Sequence, residues 1–327
     1  MKILVPLDGS TFSETILDTV VPLVEASDSE AHLITVIEET ALQGYWTMPP
    51  TLIDETTGEM GMSATAISRL STSPNSPEAI KAREEALHTA EEYLARVVGR
   101  FPYNRTTTRA VVGKSAVEET LKYAQEQGVE LIAMSTHGRS GLGRWVFGST
   151  ADKLLHSSAI PLLLLTPKEG QKATPRAGRV DTLVVPLDGS ELAESALSYA
   201  EWLARQMPLK ISLVRVVPSV TFAYPGGEPY SFEPRLYEEM EHAATEYLRQ
   251  KQVDIELRGF KVECTVGSGH PAAYVVDFAE KQEGSLIVMS THGRSGIGRW
   301  IMGSVADRVI RATSRPVLLV RPQEPSS

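Results

Sequence analysis

The chain is written twice, and that duplication limits its possible folds more than any other feature. Val5-Pro6-Leu7-Asp8-Gly9-Ser10 recurs letter for letter as Val185-Pro186-Leu187-Asp188-Gly189-Ser190. Met134-Ser135-Thr136-His137-Gly138-Arg139-Ser140-Gly141 recurs as Met289-Ser290-Thr291-His292-Gly293-Arg294-Ser295-Gly296, and the match runs on to Asp152 and Asp307 with 15 of 19 positions identical. So long a period means a duplicated domain and not a solenoid. A length of 327 residues agrees, at roughly 150 residues per domain. The expected division is a first domain over 1–166, a polar Pro/Gly-bearing linker over 167–179, a second domain over 180–322 and a tail over 323–327. The first copy is the longer one. It carries a Thr-, Ser-, Gly-, Met- and Pro-rich stretch at 40–77, where the second has only 218–234. Segments of that length inside compact domains are usually lids or mobile loops.

Short apolar runs at 3–7, 32–37, 107–111, 131–134 and 162–165 have counterparts at 183–187, 211–217, 261–266, 286–289 and 317–320. They are continuous rather than alternating, which suits parallel strands covered on both faces. Helical patterns at 78–98 and 115–127, and again at 236–251 and 272–282, alternate with them. Strand and helix in alternation imply βαβ units. The expected fold class is therefore α/β: two tandem, doubly wound, five-stranded parallel-sheet domains of Rossmann-like form. The last strand of each half, at 160–165 and 312–320, has no later strand to shield it. A bare apolar edge invites pairing, so the two last strands are expected to meet in a pseudo-twofold internal dimer. A central place for these strands in their own sheets would remove that argument. A homodimer of whole chains is a further option.

Composition excludes several classes. Net charge is −9, which leaves no broadly basic surface for nucleic acid. Cys264 is the only cysteine, so neither an internal disulfide nor a thiolate zinc cluster can form. The longest apolar runs have strand length, too short for a membrane span or the core of a signal peptide. The expected location is the cytoplasm.

Two segments carry chemistry. In the first, a strand ends in Pro6-Leu7-Asp8-Gly9-Ser10 and a helix follows. Ser10 and Ser190 suit helix N-caps, with Glu14, Glu191 and Glu194 in the first turns. An aspartate at the carboxyl end of a parallel strand lies where such folds bind ligands, although a capped turn would use the same residues. The second segment, 135–149, is a glycine-rich loop between a strand and a helix, with Gly138, Gly141, Gly143 and Gly148 for close backbone approach. Ser149 opens a helix whose free N–H groups favour an anion, and Arg139 and Arg144 add charge. Here the competing reading is a capping box, Ser149 with Asp152 and Ser304 with Asp307. Gly113-Lys114-Ser115 ends like a phosphate-binding P-loop, but the glycine required upstream falls on Thr108; it reads as a strand-to-helix turn. No Gly-x-Gly-x-x-Gly follows the first strand. His137 and His292 lack the serine or cysteine elbow that would make them bases, and Trp145 and Trp300 read as packing residues.

With both segments in view, the sequence resembles the universal stress protein family in its tandem form. The ATP-binding branch of that family has the signature Gly-x2-Gly-x9-Gly-Ser/Thr. Gly138, Gly148 and Ser149 match its later part, as do Gly293, Gly303 and Ser304, while Ser135 and Ser290 replace the first glycine. The resemblance implies that Pro6 and Asp8 flank adenine and ribose and that the backbone at Val36 contacts the base edge. It also implies that Met134 and Ser135 border the ribose, and that Gly138, Gly148 and Ser149 hold phosphates. For the second half it implies Pro186, Asp188, Val216, Met289, Ser290, Gly293, Gly303 and Ser304. ATP and Mg²⁺ are the implied cofactors, and pairing through the last strands the implied assembly. The function this suggests is a two-site ATP-binding stress-response sensor or regulator, with slow hydrolysis at most and no assigned catalytic residue or metal ligand. The alternative is an interaction module of the same fold that binds no nucleotide.

Overall fold

In the computed structural model the described residues are 1–39, 77–102, 104–136, 148–166, 180–218, 221–222, 230–231, 234–291 and 302–321. The chain divides into two compact units, with the first boundary falling inside the strand at 162–165. In the first, the order is β1 (Lys2–Pro6), α1 (Thr11–Glu14), α2 (Leu17–Ala26), β2 (Glu30–Glu38), α3 (Pro77–Val98), β3 (Thr106–Gly113), α4 (Ala116–Gln127), β4 (Leu131–Ser135), α5 (Ser149–Ser157) and β5 (Leu162–Leu165). The second has β6 (Thr182–Pro186), α6 (Glu191–Gln206), β7 (Lys210–Val217), β8 (Thr221–Phe222), β9 (Tyr230–Ser231), α7 (Pro234–Leu257), β10 (Lys261–Ser268), α8 (Pro271–Glu280), β11 (Ser285–Ser290), α9 (Ser304–Ala312) and β12 (Val317–Val320). The small antiparallel β8–β9 hairpin falls inside the stretch read as loop. Two residues per strand leave no periodicity to detect. Residues 40–76 and 167–179, which carry the long-insert and linker expectations, lie outside the described set.

Within each unit the strands run β5-β4-β1-β2-β3 and β12-β11-β6-β7-β10, and the pairs β1–β2, β1–β4, β2–β3, β6–β7, β6–β11, β7–β10 and β11–β12 are all parallel. The doubly wound reading of each half is correct. Ile3, Leu4, Val5, Leu33 and Ile132 have no exposed surface, and neither do Leu183, Val184, Val185, Ile211, Leu213, Ile287 and Val288. Neighbours in sequence point to opposite faces of a sheet, so strands buried at consecutive positions must be covered on both sides. Each such side chain contributes about 1.5–3 kcal/mol relative to exposure. The strand order reverses between β1 and β4 in one unit and between β6 and β11 in the other. In open α/β sheets such a reversal opens the crevice that receives ligands, at the carboxyl ends of the strands.

Among the buried polar residues, a histidine interrupts the apolar run of β2. His32 on β2 is 3% exposed. Its Nδ1 lies 3.0 Å from the Tyr123 hydroxyl, while Nε2 has no hydrogen-bond partner and stands 3.9 Å from the Glu30 carboxylate. Burial, helped by the Lys2 charge, lowers its pKa from 6.5 against the opposing pull of Glu30. A base whose folded pKa is depressed stabilises the fold fully above its unfolded value, and that contribution is lost as pH falls towards the folded one. The urea midpoint of the first unit should therefore drop as pH falls below about 6.5. The register that pairs Leu4 with His32 pairs Val184 with Ser212, so His32→Ser borrows the duplicate's own residue. It should flatten that slope, and an unchanged slope would assign it to other groups.

The cysteine is also held. Its Sγ donates to the Leu248 carbonyl at 3.4 Å, and burial of the thiol, with the Glu256 charge, pushes its pKa up to about 11 from 9.0. Thiolate is the reacting species. Cys264 itself is exposed, so alkylation by iodoacetamide at pH 8 should run slower in the folded chain than in urea through the raised pKa and not through occlusion.

Candidate functional site

The two Asp-Gly-Ser turns are built alike. Asp8 Oδ1 accepts from the Ser10 backbone N–H (2.9 Å) and from its hydroxyl (2.6 Å), and the Ser10 hydroxyl oxygen accepts from the N–H of Ser13 (3.1 Å). Asp188, Ser190 and Ala193 repeat the arrangement at 2.9, 2.6 and 3.2 Å. Gly9 and Gly189 stand at φ 79° and 87°, a conformation that excludes most side chains. The turn therefore fixes the aspartate at the strand end while the serine caps the helix, so the capped-turn reading holds.

Beside it comes the second segment. Leu4 pairs with Ile132 on β4, and Val184 with Ile287 on β11. That register sets Pro6 level with Met134 and Pro186 level with Met289. Met134 is 6% exposed, Met289 5%, and Ser135 and Ser290 are 6% each. Just past the strand, the Thr136 carbonyl accepts the Gly148 N–H at 2.7 Å, and the Thr291 carbonyl accepts that of Gly303 at 2.8 Å. Each glycine is thereby held at the strand end, and α5 and α9 start there. Val36 and Val216 lie on the neighbouring strands, two residues beyond the partners of Pro6 and Pro186. The structure thus gathers Pro6, Asp8, Met134, Ser135, Gly148 and Ser149 at one end of one sheet, with Val36 on the adjoining strand, and the corresponding residues of the second unit likewise. Gly138 and Gly293 lie outside the described residues, as do Arg139, Arg144, His137, His292, Trp145 and Trp300.

The capping-box expectation needs correction. Gly148 and Gly303 are the N-caps, and Ser149 and Ser304 are the first helical residues. Neither helix start has a side-chain cap, because the serines sit one position too late to turn back. The first N–H groups of each helix are thus not taken up by the serine that was expected to cap them. Nor does the serine that replaces the signature's first glycine carry strain: among the described non-glycine residues only Asn104 has positive φ. Ser135 also reaches the Thr15 hydroxyl, 2.8 Å away, which ties the first helical segment to the end of β4.

Sequence reasoning missed the tyrosines. Glu-Tyr-Leu recurs at 92–94 and 246–248, which puts Tyr93 and Tyr247 at the same place on α3 and α7. Tyr93 is 3% exposed; burial and the charges of Glu14 and Asp8 raise its pKa. The Tyr247 hydroxyl donates to Glu194 at 2.8 Å, and burial, then that bond, raise its pKa while Arg215 opposes. The repeated tripeptide was the available signal. Gly113, by contrast, ends β3, and the Ser115 side chain caps α4, so the P-loop lookalike is a strand-to-helix turn.

Comparison with known proteins identifies the family. The model of the universal stress protein family matches residues 1–166 and again 179–321. A universal stress protein of Methanocaldococcus jannaschii is 34% identical over 140 residues, 42% of this chain and 81% of the relative. One from Mycolicibacterium smegmatis is 26% identical over 240 residues, 73% of this chain and 76% of that one. Among solved structures, a universal stress protein from Archaeoglobus fulgidus superposes with a TM-score of 0.65 at 19% identity, covering 98% of both chains. With the family pattern matched twice over nearly its whole length, the chain belongs to the universal stress protein family, in a form that carries two of its domains.

Proposed function

We propose that this chain is a stress-response regulator that binds one ATP in each half and responds to nucleotide rather than turning it over rapidly. The observation that carries this reading is the repeated juxtaposition of a strand-end aspartate with a helix start that is glycine-capped and pinned to the adjacent strand end. A helix start of that kind favours phosphate, through its N–H groups and its dipole. Asp8 and Asp188 would accept from ribose hydroxyls, and Pro6, Val36, Met134 and their counterparts would border the base and sugar. Among the described residues no group of three or more His, Cys, Asp and Glu gathers to hold a metal. Mg²⁺ would therefore enter with the phosphates and keep most of its water, its usual manner of binding. No helix among the described residues is long and apolar enough to cross a membrane.

Isothermal titration of the full chain with Mg-ATP should give a stoichiometry near two. Mass spectrometry of ligand released from freshly purified protein should identify an adenine nucleotide. Absence of both heat and released nucleotide would favour the interaction module instead. The same reading retains pairing of the last strands, supported by their terminal place in each unit's strand order and their wholly apolar sequences, Leu162–Leu165 and Val317–Val320. If a protease site inserted in the 167–179 segment is cut, the halves should still migrate together on gel filtration. Separate peaks would end that proposal.

A further inference from the structure

The two candidate cradles differ at one position beside the aspartate. Pro6 pairs with Ile34 and Pro186 with Val214, so the next residues, Thr35 and Arg215, occupy equivalent places. Thr35 is 4% exposed, and its hydroxyl has no hydrogen-bond partner. Arg215 instead extends along the Asp188-Gly189 turn. A Cβ built on Gly189 would lie 3.1–3.3 Å from its guanidinium, and the guanidinium stacks 4.5 Å from the centre of the Tyr247 ring. A second cation joins it. Lys251 donates to Glu194 at 2.7 Å and stands 5.6 Å from the same ring. The Glu-Tyr-Leu match sets Lys251 opposite Val97, which is buried at 4%. Beside the Asp188-Gly189 turn the duplicate has thus gained the Arg215 charge where the first half has a hydroxyl, while Lys251 is paired with Glu194. On the first side, Glu14 and Asp18 share Arg100 at 3.7 and 2.7 Å.

The chemistry of these substitutions is selective. A carboxylate beside a ribose accepts from a free hydroxyl and repels a phosphoryl group there, whereas a neighbouring arginine accommodates that group. A guanidinium carries five donors in a planar fork and suits phosphate oxygens better than a lysine would. Resting on the nucleotide reading above, we infer that the two halves select different nucleotides: the first takes an unsubstituted ribose, and the second takes a nucleotide phosphorylated on a ribose hydroxyl. Arg215 is the specificity-determining residue. The duplication then yields a chain that reads two ligands together.

The full chain should be titrated with AMP and, separately, with adenosine 2′,5′-bisphosphate and adenosine 3′,5′-bisphosphate, which add only the second phosphoryl group. At least one bisphosphate should bind one site per chain at least about tenfold more tightly than AMP, about the effect of one charge-assisted hydrogen bond. Arg215→Thr should abolish that preference and Arg215→Lys should restore it in part, with ATP binding at the first half as the internal control. Wild-type protein that binds ATP at two sites, yet shows no preference for either bisphosphate, overturns this inference and leaves the nucleotide reading standing. So does a preference that survives Arg215→Thr. Wild-type protein that takes up no ATP overturns both.

Discussion

On the proposed two-site reading, valine at Gly148 should leave the first unit folded and abolish one nucleotide site, and valine at Gly303 should abolish the other. Both glycines have φ and ψ near extended values, −56° and 144° at Gly148 and −59° and 142° at Gly303. A β-branched residue adopts that conformation without strain. Valine is a poorer N-cap, which costs about 1 kcal/mol, a small part of the stability of a domain this size. The effect on a phosphate would be far larger. The added side chain stands at the mouth of the helix and keeps the ligand off the first N–H groups, whose charge-assisted bonds contribute about 1.5–3 kcal/mol each. Loss of two such bonds lowers affinity at that site by about 100-fold or more. Calorimetric stoichiometry should fall from two to one in each single variant and to zero in the double variant, with melting curves as the check on folding. A double variant that still binds two would place the ligand elsewhere.

Glu280→Ala should destabilise the second unit by about 2–4 kcal/mol. Glu280 closes α8, and its Oε1 accepts the Thr313 hydroxyl (3.0 Å), the Ser314 N–H (2.6 Å) and the Ser314 hydroxyl (2.8 Å). Its other oxygen lies 3.5 Å from Arg315 Nε, and its backbone carbonyl accepts from Arg315 Nη2 at 2.8 Å. One carboxylate thus fastens the turn that delivers β12. Alanine would strand a backbone donor and two hydroxyls in a partly buried turn, which costs more than the bonds themselves contribute. Glu280→Gln keeps one good acceptor and should lose less. Urea unfolding followed by fluorescence would order the three proteins; equal midpoints would mean that water replaces the carboxylate. The first unit closes its corresponding turn with Ser158, which bonds the backbone of Ile160 in both directions, so the same change has no counterpart there.

Most of the fold could be read from the chain because each strand is a continuous apolar run and each half repeats the other's landmarks. The Asp-Gly-Ser turns were legible for a local reason: the aspartate, the positive-φ glycine and the capping serine are consecutive, and their bonds span two or three residues. Helix starts were legible only to within one residue. Serine in Gly148-Ser149 looks like a cap, yet the carbonyl of Thr136 captures the glycine N–H first and moves the cap upstream. The break between α1 and α2, where Thr15 reaches across to Ser135, could not be seen, since its partner is supplied by a strand far along the chain. The same holds for Tyr247, Arg215 and Glu194, three elements' contributions to one cluster. Pattern gives the elements; which side chains converge depends on packing that no local window contains.

The order in which the strands are made differs from the order in which they lie. Ile3 and Leu4 rest against Leu131 and Ile132, whereas β2 and β3 are complete by Gly113. On the ribosome β1, β2 and β3 can associate first, leaving one flank of β1 waiting for β4. At about 5–20 residues per second that wait lasts on the order of seconds, during which the unpaired backbone N–H and C=O groups along that edge of β1 are open to other strands. The second half postpones its own closure in the same way, since β6 must wait for β11. A nascent chain of this design therefore passes twice through an interval in which it is most open to capture.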